Sequence, residues 1–323
     1  MTLKHQFLVV LCVAISTVAS WAQSNKFANS IFRFATRAEA QMLITELDDY
    51  TRNWNQFDID VRLQKPQGRK SALLQFAMDQ TLNWSDEEKA RISKTMKSLD
   101  AEIKKQKYNL EFPKEIVFVK TTQKEEGNAE AYTRMNWIAI GEEALKSSSD
   151  TDLKYLVAHE LFHLLTRQNV HFKKDMYQII GFEVAEKEIL FPSDLAEMRI
   201  SNPDISRYDS YGTFTIGGQK QYCTMVIYTD KPYSGNTLFD YLKIGLVPLN
   251  GEFIPVQKSG KTIIYSLDDA EDFYTQVGKN TSYVINPEEI MADNFAYTLI
   301  GKKDLPNPEI IQKTQKVLKA KNR

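Results

Sequence analysis

The segment His159-Glu160-Leu161-Phe162-His163 constrains this chain more than any other. It sits inside a run whose apolar residues Leu153, Leu156, Val157, Leu161, Leu164 and Leu165 recur at helical spacing, so one face of the helix belongs in a core. Ser149-Asp150-Thr151-Asp152 supplies the start signal, with acidic residues in the first turn. Imidazoles four residues apart on a helix project one above the other and can reach a single metal ion, with the intervening carboxylate beside them. That geometry predicts a zinc hydrolase. The competing reading is a core helix that carries two histidines, one of them paired with a carboxylate.

A catalytic zinc takes three protein ligands and keeps one position for water, so one ligand remains to be found. A downstream third histidine in the pattern HExxHxxGxxH is excluded, because Thr166 and Asn169 hold the Gly and His positions. His171 has no glycine turn to bring it back. Glu183 follows His163 after nineteen intervening residues, the interval of thermolysin-like enzymes, but Lys187 stands where those carry Asp. Glu289 lies in Asn286-Pro287-Glu288-Glu289-Ile290-Met291-Ala292-Asp293, one helical turn before Asp293. Glu289 could therefore bind the metal while Asp293 accepts the outer N–H of a ligating histidine. Its rival role is a capping box, with Asn286 as N-cap, Pro287 in the first helical position and Glu289 reaching back to the Asn286 N–H.

HELFH followed far downstream by PEEIMADNFA resembles the gluzincin class of zinc metallopeptidases, in which a helix carrying Glu and then Asp one turn later completes the site. The resemblance covers the HELFH helix, the strand before it and the helix at 287–300. It implies His159, His163 and Glu289 as ligands of Zn2+, Asp293 behind them and Glu160 as general base, with a peptide or protein as substrate. The developing oxyanion needs a further donor, for which His171, Arg134 and the tyrosines between Tyr208 and Tyr241 are the candidates. Two rival functions stay open: an inactive homologue that binds through its β region, and a zinc hydrolase of non-peptide substrates.

The remaining chain predicts an α+β fold, a zincin-like core with N-terminal helices and an inserted antiparallel β meander. The divisions are a signal peptide at 1–22, a helical region at 23–110, the core at 111–205, a β-rich insertion at 206–267, and C-terminal helices with the third ligand at 268–323. From Asn29 to about Lys107 the pattern reads as helical, with Phe32, Ala38, Met42, Leu43, Leu47 and Tyr50 on one face and a second helix opened by Ser85-Asp86-Glu87-Glu88. Glu115 to Thr122 reads as a buried strand, and Ala131 to Ile140 as one or two more. Trp137 to Ile140 is the candidate edge strand for pairing with an extended peptide. Gly217-Gly218 and Asn250-Gly251 predict hairpin turns, the latter of type I′.

Lys4 and His5, the apolar run Phe7 to Val18 and the small residues of Ser20-Trp21-Ala22 form a signal peptide cleaved after Ala22, which predicts a secreted or periplasmic protein. Cleavage leaves Cys223 as the only cysteine and no intrachain disulfide. No other stretch is long and apolar enough to span a bilayer, so no stable membrane span is expected after signal removal. With 41 basic and 42 acidic residues, nothing in the charge balance points to nucleic acid. Asn83-Trp84-Ser85 and Asn280-Thr281-Ser282 match glycosylation acceptors.

Overall fold

The computed structural model describes residues 25–205 and 207–320; the signal peptide expected at 1–22 lies outside them. In chain order come β1 (Lys26–Phe27), β2 (Ser30–Phe34), α1 (Arg37–Ile44), α2 (Asp49–Arg52), α3 (Gln56–Leu63), α4 (Lys70–Asp79), β3 (Thr81–Leu82) and α5 (Asp86–Gln106). They are followed by β4 (Glu115–Thr121), β5 (Ala131–Arg134), β6 (Trp137–Gly141), α6 (Glu142–Ser147), α7 (Asp150–Gln168), α8 (Val170–Gln178), β7 (Phe182–Val184) and α9 (Ser193–Ala196). The chain continues through β8 (Ser210–Ile216), β9 (Gln219–Tyr228), β10 (Lys243–Leu249), β11 (Gln257–Lys258), β12 (Lys261–Thr262), α10 (Phe273–Val277), α11 (Pro287–Ile300) and α12 (Pro308–Lys319). The fold is mixed α+β.

The first sheet runs in the order β1-β2-β4-β6-β5, with β3 also paired to β4. β2, β4 and β6 are parallel, while β5 turns back antiparallel along β6 and forms one edge. Both faces are covered, which suits the near-continuous apolar composition of β4 and β6. Ile116, Phe118, Ile138 and Ile140 pack in one cluster with Ile92, Met96 and Leu99 of α5 and Leu153, Val157 and Leu161 of α7. The alternating residues Val117, Val119, Trp137 and Ala139 face Ala40 and Ile44 of α1 and Ala77 of α4.

Three expectations are corrected here. Residues 30–34 form β2 rather than the start of a helix, and Met42 and Leu47 of the expected helical face are 75% and 52% exposed. β2 gains its partner, β4, from more than eighty residues away, a pairing no local periodicity reveals. The 23–110 region is therefore part of the main sheet through β1, β2 and β3. Third, β6 is an interior strand, so the free edge belongs to β5 and not to Trp137 to Ile140.

The second sheet, in the order β10-β9-β8-β7, is antiparallel throughout and begins at Phe182, upstream of the boundary at 206. Gly217 and Gly218 turn it with φ of 58° and 74°, a left-handed pair that suits a type I′ hairpin. Asn250-Gly251 does not make the expected two-residue turn. There the Phe253 N–H closes on the Asn250 carbonyl, the Asn250 side chain accepts from the Glu252 and Ile254 N–H groups, and Phe253 takes the positive φ. The return segment then meets β10 through isolated bridges, Leu249 with Pro255 and Leu246 with Tyr265, and a bond from the Val256 N–H to the Pro248 carbonyl. Phe182, Phe214, Cys223, Met225 and Leu246 carry this sheet into the same core as α7.

Candidate metal centre

α7 begins at a capping box in which the Ser149 hydroxyl accepts from the Asp152 N–H and the Asp152 carboxylate accepts from the Ser149 N–H. Its apolar face locks the helix into the core, and His159 and His163 project together from it, ring centroids 5.0 Å apart. α11 packs against α7 and starts at Asn286, whose side chain accepts from the Glu288 N–H, followed by Pro287 in the first helical position. The Glu289 carboxylate takes no part in this cap. It turns to the histidines, where Oε2 stands 3.0 Å from His159 Nε2 and 3.7 Å from His163 Nε2.

The outer ring nitrogens are both held by acids of α11. His159 Nδ1–H donates to Asp293 Oδ1 at 2.8 Å, and His163 Nδ1–H donates to Glu288 Oε1 at 2.9 Å. Asp293 also accepts the hydroxyls of Tyr155 and Thr281. Glu288 accepts the Thr166 hydroxyl at 2.5 Å and that of Tyr177. Burial pushes both carboxyls up, but the bonds led by those from His159 and His163 bring Asp293 and Glu288 below the ordinary carboxylate range. These bonds fix each ring so that its Nε2 points inward.

The two imidazoles sit in different surroundings. Burial depresses the His163 pKa, and its Nε2 is a buried atom without a hydrogen-bond partner. Burial also opposes protonation of His159, but the bonds to Asp293 and Glu289 outweigh it and lift that ring well above its usual value. A ring with a bare inward nitrogen, a second ring held between carboxylates and a buried glutamate make a set of donors suited to a divalent cation. One atom each from His159, His163 and Glu289 lies within 4.8 Å of the others.

Glu160 lies alongside. Its Oε2 accepts the Thr133 hydroxyl of β5 at 2.6 Å, and it forms a second close group with His163 and Asp204. Burial, followed by the charge of Asp204, raises the Glu160 carboxyl well above the usual range. A carboxylate with raised proton affinity next to the inward nitrogens can accept a proton from a nearby water.

The other expectations fare differently. Glu183 is exposed on β7, where its carboxylate accepts the Tyr211 hydroxyl at 2.9 Å, and it does not join the cluster. His171 is exposed at the start of α8. Arg134 points to the opposite face of the sheet, paired with Asp48 at 2.8 Å and donating to the carbonyls of Ile44 and Glu46. Tyr208 packs on Phe191 and Arg199, and the Tyr241 hydroxyl accepts from the Ser234 N–H. Two aromatic residues outside that list do approach His159: Tyr155, with ring centroids 6.2 Å apart and its hydroxyl already given to Asp293, and Tyr283 at 6.4 Å. Of the glycosylation acceptors, Asn83 is exposed, whereas Asn280 is buried and bonded to Asn294 and Asn307.

Glu288, Thr133, Asp204 and Tyr283 carried no spacing signal. Only Glu288, beside the candidate ligand, was within reach of a longer look at the helix start. Comparison of the chain with known protein families, curated proteins and solved structures found no match.

Proposed function

We propose that this chain is a secreted or periplasmic zinc metallopeptidase of the gluzincin type. The observation that carries the reading is the convergence of His159 Nε2, His163 Nε2 and the Glu289 carboxylate beside the buried Glu160. The donor set of two imidazoles and one glutamate, each outer nitrogen bonded to a carboxylate, is that of a catalytic zinc with room for further ligands. Zinc in such a site supplies a Lewis acid that lowers the pKa of water toward about 7 and polarises a carbonyl oxygen.

The residues of the chain do the rest. Glu160 takes the proton of the attacking water and hands it to the departing amine, with the Thr133 hydroxyl orienting its carboxylate. The Tyr283 hydroxyl donates to the oxyanion. The residue is 41% exposed, but burial of its hydroxyl and the charges led by Glu289 and Asp204 push its pKa well up. An extended peptide pairs with the outer edge of β5, taking the Thr133 N–H from the Asp204 carboxylate that now accepts it; this strand runs past Glu160 and supports a peptide as substrate over a compact molecule.

The test is Glu160→Gln. It keeps the shape of the side chain and the metal ligands, so bound zinc stays at the wild-type level while cleavage of a peptide library falls by roughly two orders of magnitude or more. Wild-type cleavage by the variant refutes the role of Glu160 and, with it, the peptidase reading. A homologue that keeps the metal for structure alone has no use for a base in this position.

A further inference from the structure

Glu289 uses its two oxygens differently. Oε2 stands 3.0 Å from His159 Nε2 and 3.7 Å from His163 Nε2, whereas Oε1 turns to Asn202, whose Nδ2–H donates to it at 3.4 Å. Among the described residues Asn202 is the one hydrogen-bond donor to Oε1. Its amide is oriented by a second bond: Oδ1 accepts the Asp204 N–H at 2.8 Å, which leaves Nδ2 on the Glu289 side. The last torsion of a glutamate is broad, without a sharp staggered minimum, so even a long bond decides how the carboxylate is rotated.

The chain leading to Asn202 is fastened to α3. Asn55 Nδ2 donates to the carbonyls of Ala196 and Arg199 at 2.9 and 2.7 Å. The Ser201 N–H and hydroxyl donate to Asp58 at 2.9 and 2.7 Å, and the Ser201 carbonyl accepts from Arg62 at 2.6 Å. Arg62 is itself buried and paired with Asp58 and Glu126. Just beyond Asn202, Arg167 of α7 donates to the Pro203 carbonyl at 2.5 Å. A buried ion pair adds little net stability over apolar side chains of similar size. What these bonds fix is position, and the residue they set against the start of α11 is Asn202.

We propose that Asn202 is a positioning residue of the metal centre: by holding Oε1 it restricts Glu289 to one oxygen at the metal and keeps a position free for water. The inference rests on the metal-site reading above and adds to it what keeps the site open. A carboxylate can bind a metal through one oxygen or through two, and a second oxygen from Glu289 would take the place that a catalytic zinc reserves for water.

The experiment uses the mature full-length protein loaded with Co2+ in place of zinc, comparing wild type with Asn202→Ser and Asn202→Ala. Serine keeps an oxygen that can accept the Asp204 N–H, so the turn survives, but its hydroxyl is too short to reach Glu289. Cobalt absorption reports the coordination number, and acetohydroxamate, a small metal-binding probe, reports an open position. Both variants are expected to hold cobalt, with a weaker visible band than the wild type as the coordination number rises. Acetohydroxamate should bind them about tenfold more weakly or worse, and peptide cleavage by their zinc forms should fall by about 10- to 100-fold. A wild-type band or wild-type acetohydroxamate affinity in Asn202→Ser overturns the inference while leaving the three-ligand site standing, and a change confined to Asn202→Ala does the same by assigning the residue to the turn alone. Failure of the wild type to take up cobalt overturns this inference and the metal-site reading together.

Discussion

Glu288 and Glu289, adjacent on α11, address opposite nitrogens of the same ring: Glu288 Oε1 accepts from His163 Nδ1 at 2.9 Å, and Glu289 Oε2 stands 3.7 Å from His163 Nε2. Consecutive helical residues diverge by about 100° around the axis, so the start of α11 straddles the imidazole edge. One acid can then orient the ring while the other shares its cation.

The first prediction concerns that division of labour. Glu288→Gln keeps the volume but weakens the hold on the proton at His163 Nδ1, and metal affinity should fall by about 10- to 100-fold. Competition against a chelator of known affinity measures it. Wild-type affinity would show that Glu288 does not position the ligand.

The second concerns Thr133, whose hydroxyl donates to Glu160 at 2.6 Å. Thr133→Val leaves the ligands untouched and frees the carboxylate, so kcat should drop by roughly 10- to 100-fold with bound zinc unchanged. Thr133→Ser should restore most of the rate, which a packing role for the threonine methyl would not explain.

The third concerns Tyr283 as the oxyanion donor. Tyr283→Phe should lower kcat by about 10²- to 10³-fold, with little change in KM or metal content. A variant with full kcat would leave the metal alone to stabilise the oxyanion.

How much of this was legible in the sequence varied with the range of the interactions involved. Ser85 and Glu88 close the predicted capping box, and Ile92, Met96, Leu99 and Ile103 are the buried face of α5, because caps and helical faces are local. The paired histidines were legible for the same reason, four residues apart on one helix. Phe32 was read into a helix because the strand it occupies is five residues long and its parallel partner, Ile116, lies far down the chain. The free edge strand was misjudged because edge and interior are decided by sheet order, which Trp137 to Ile140 cannot reveal alone. Asp204 carried no local signal, since its significance depends on Thr133 and His163, residues brought near it by tertiary structure.

A fourth prediction tests a buried acid away from the centre. Glu125 lies in the turn between β4 and β5, with Oε1 accepting the Tyr132 hydroxyl at 3.2 Å and Oε2 buried without a partner. Burial pushes its carboxyl from the ordinary 4.5 to about 7. The folded chain therefore holds a proton that the unfolded chain releases, and this contribution to stability is present below about 4.5 and is lost as pH rises to about 7. Glu125→Gln is neutral throughout and escapes the loss. Its stability relative to wild type should improve between pH 5 and pH 8 by an amount on the order of 1 to 3 kcal/mol, read from urea unfolding. A difference that stays constant with pH would contradict the assignment.

The most direct measurement is the zinc content of the purified mature protein beside Glu289→Ala and Glu183→Ala, determined by elemental analysis after dialysis against metal-free buffer. The account predicts about one zinc per chain in the wild type and in Glu183→Ala, and a severe loss in Glu289→Ala. Zinc retained in full by Glu289→Ala, or lacking from the wild type after reconstitution, would contradict it.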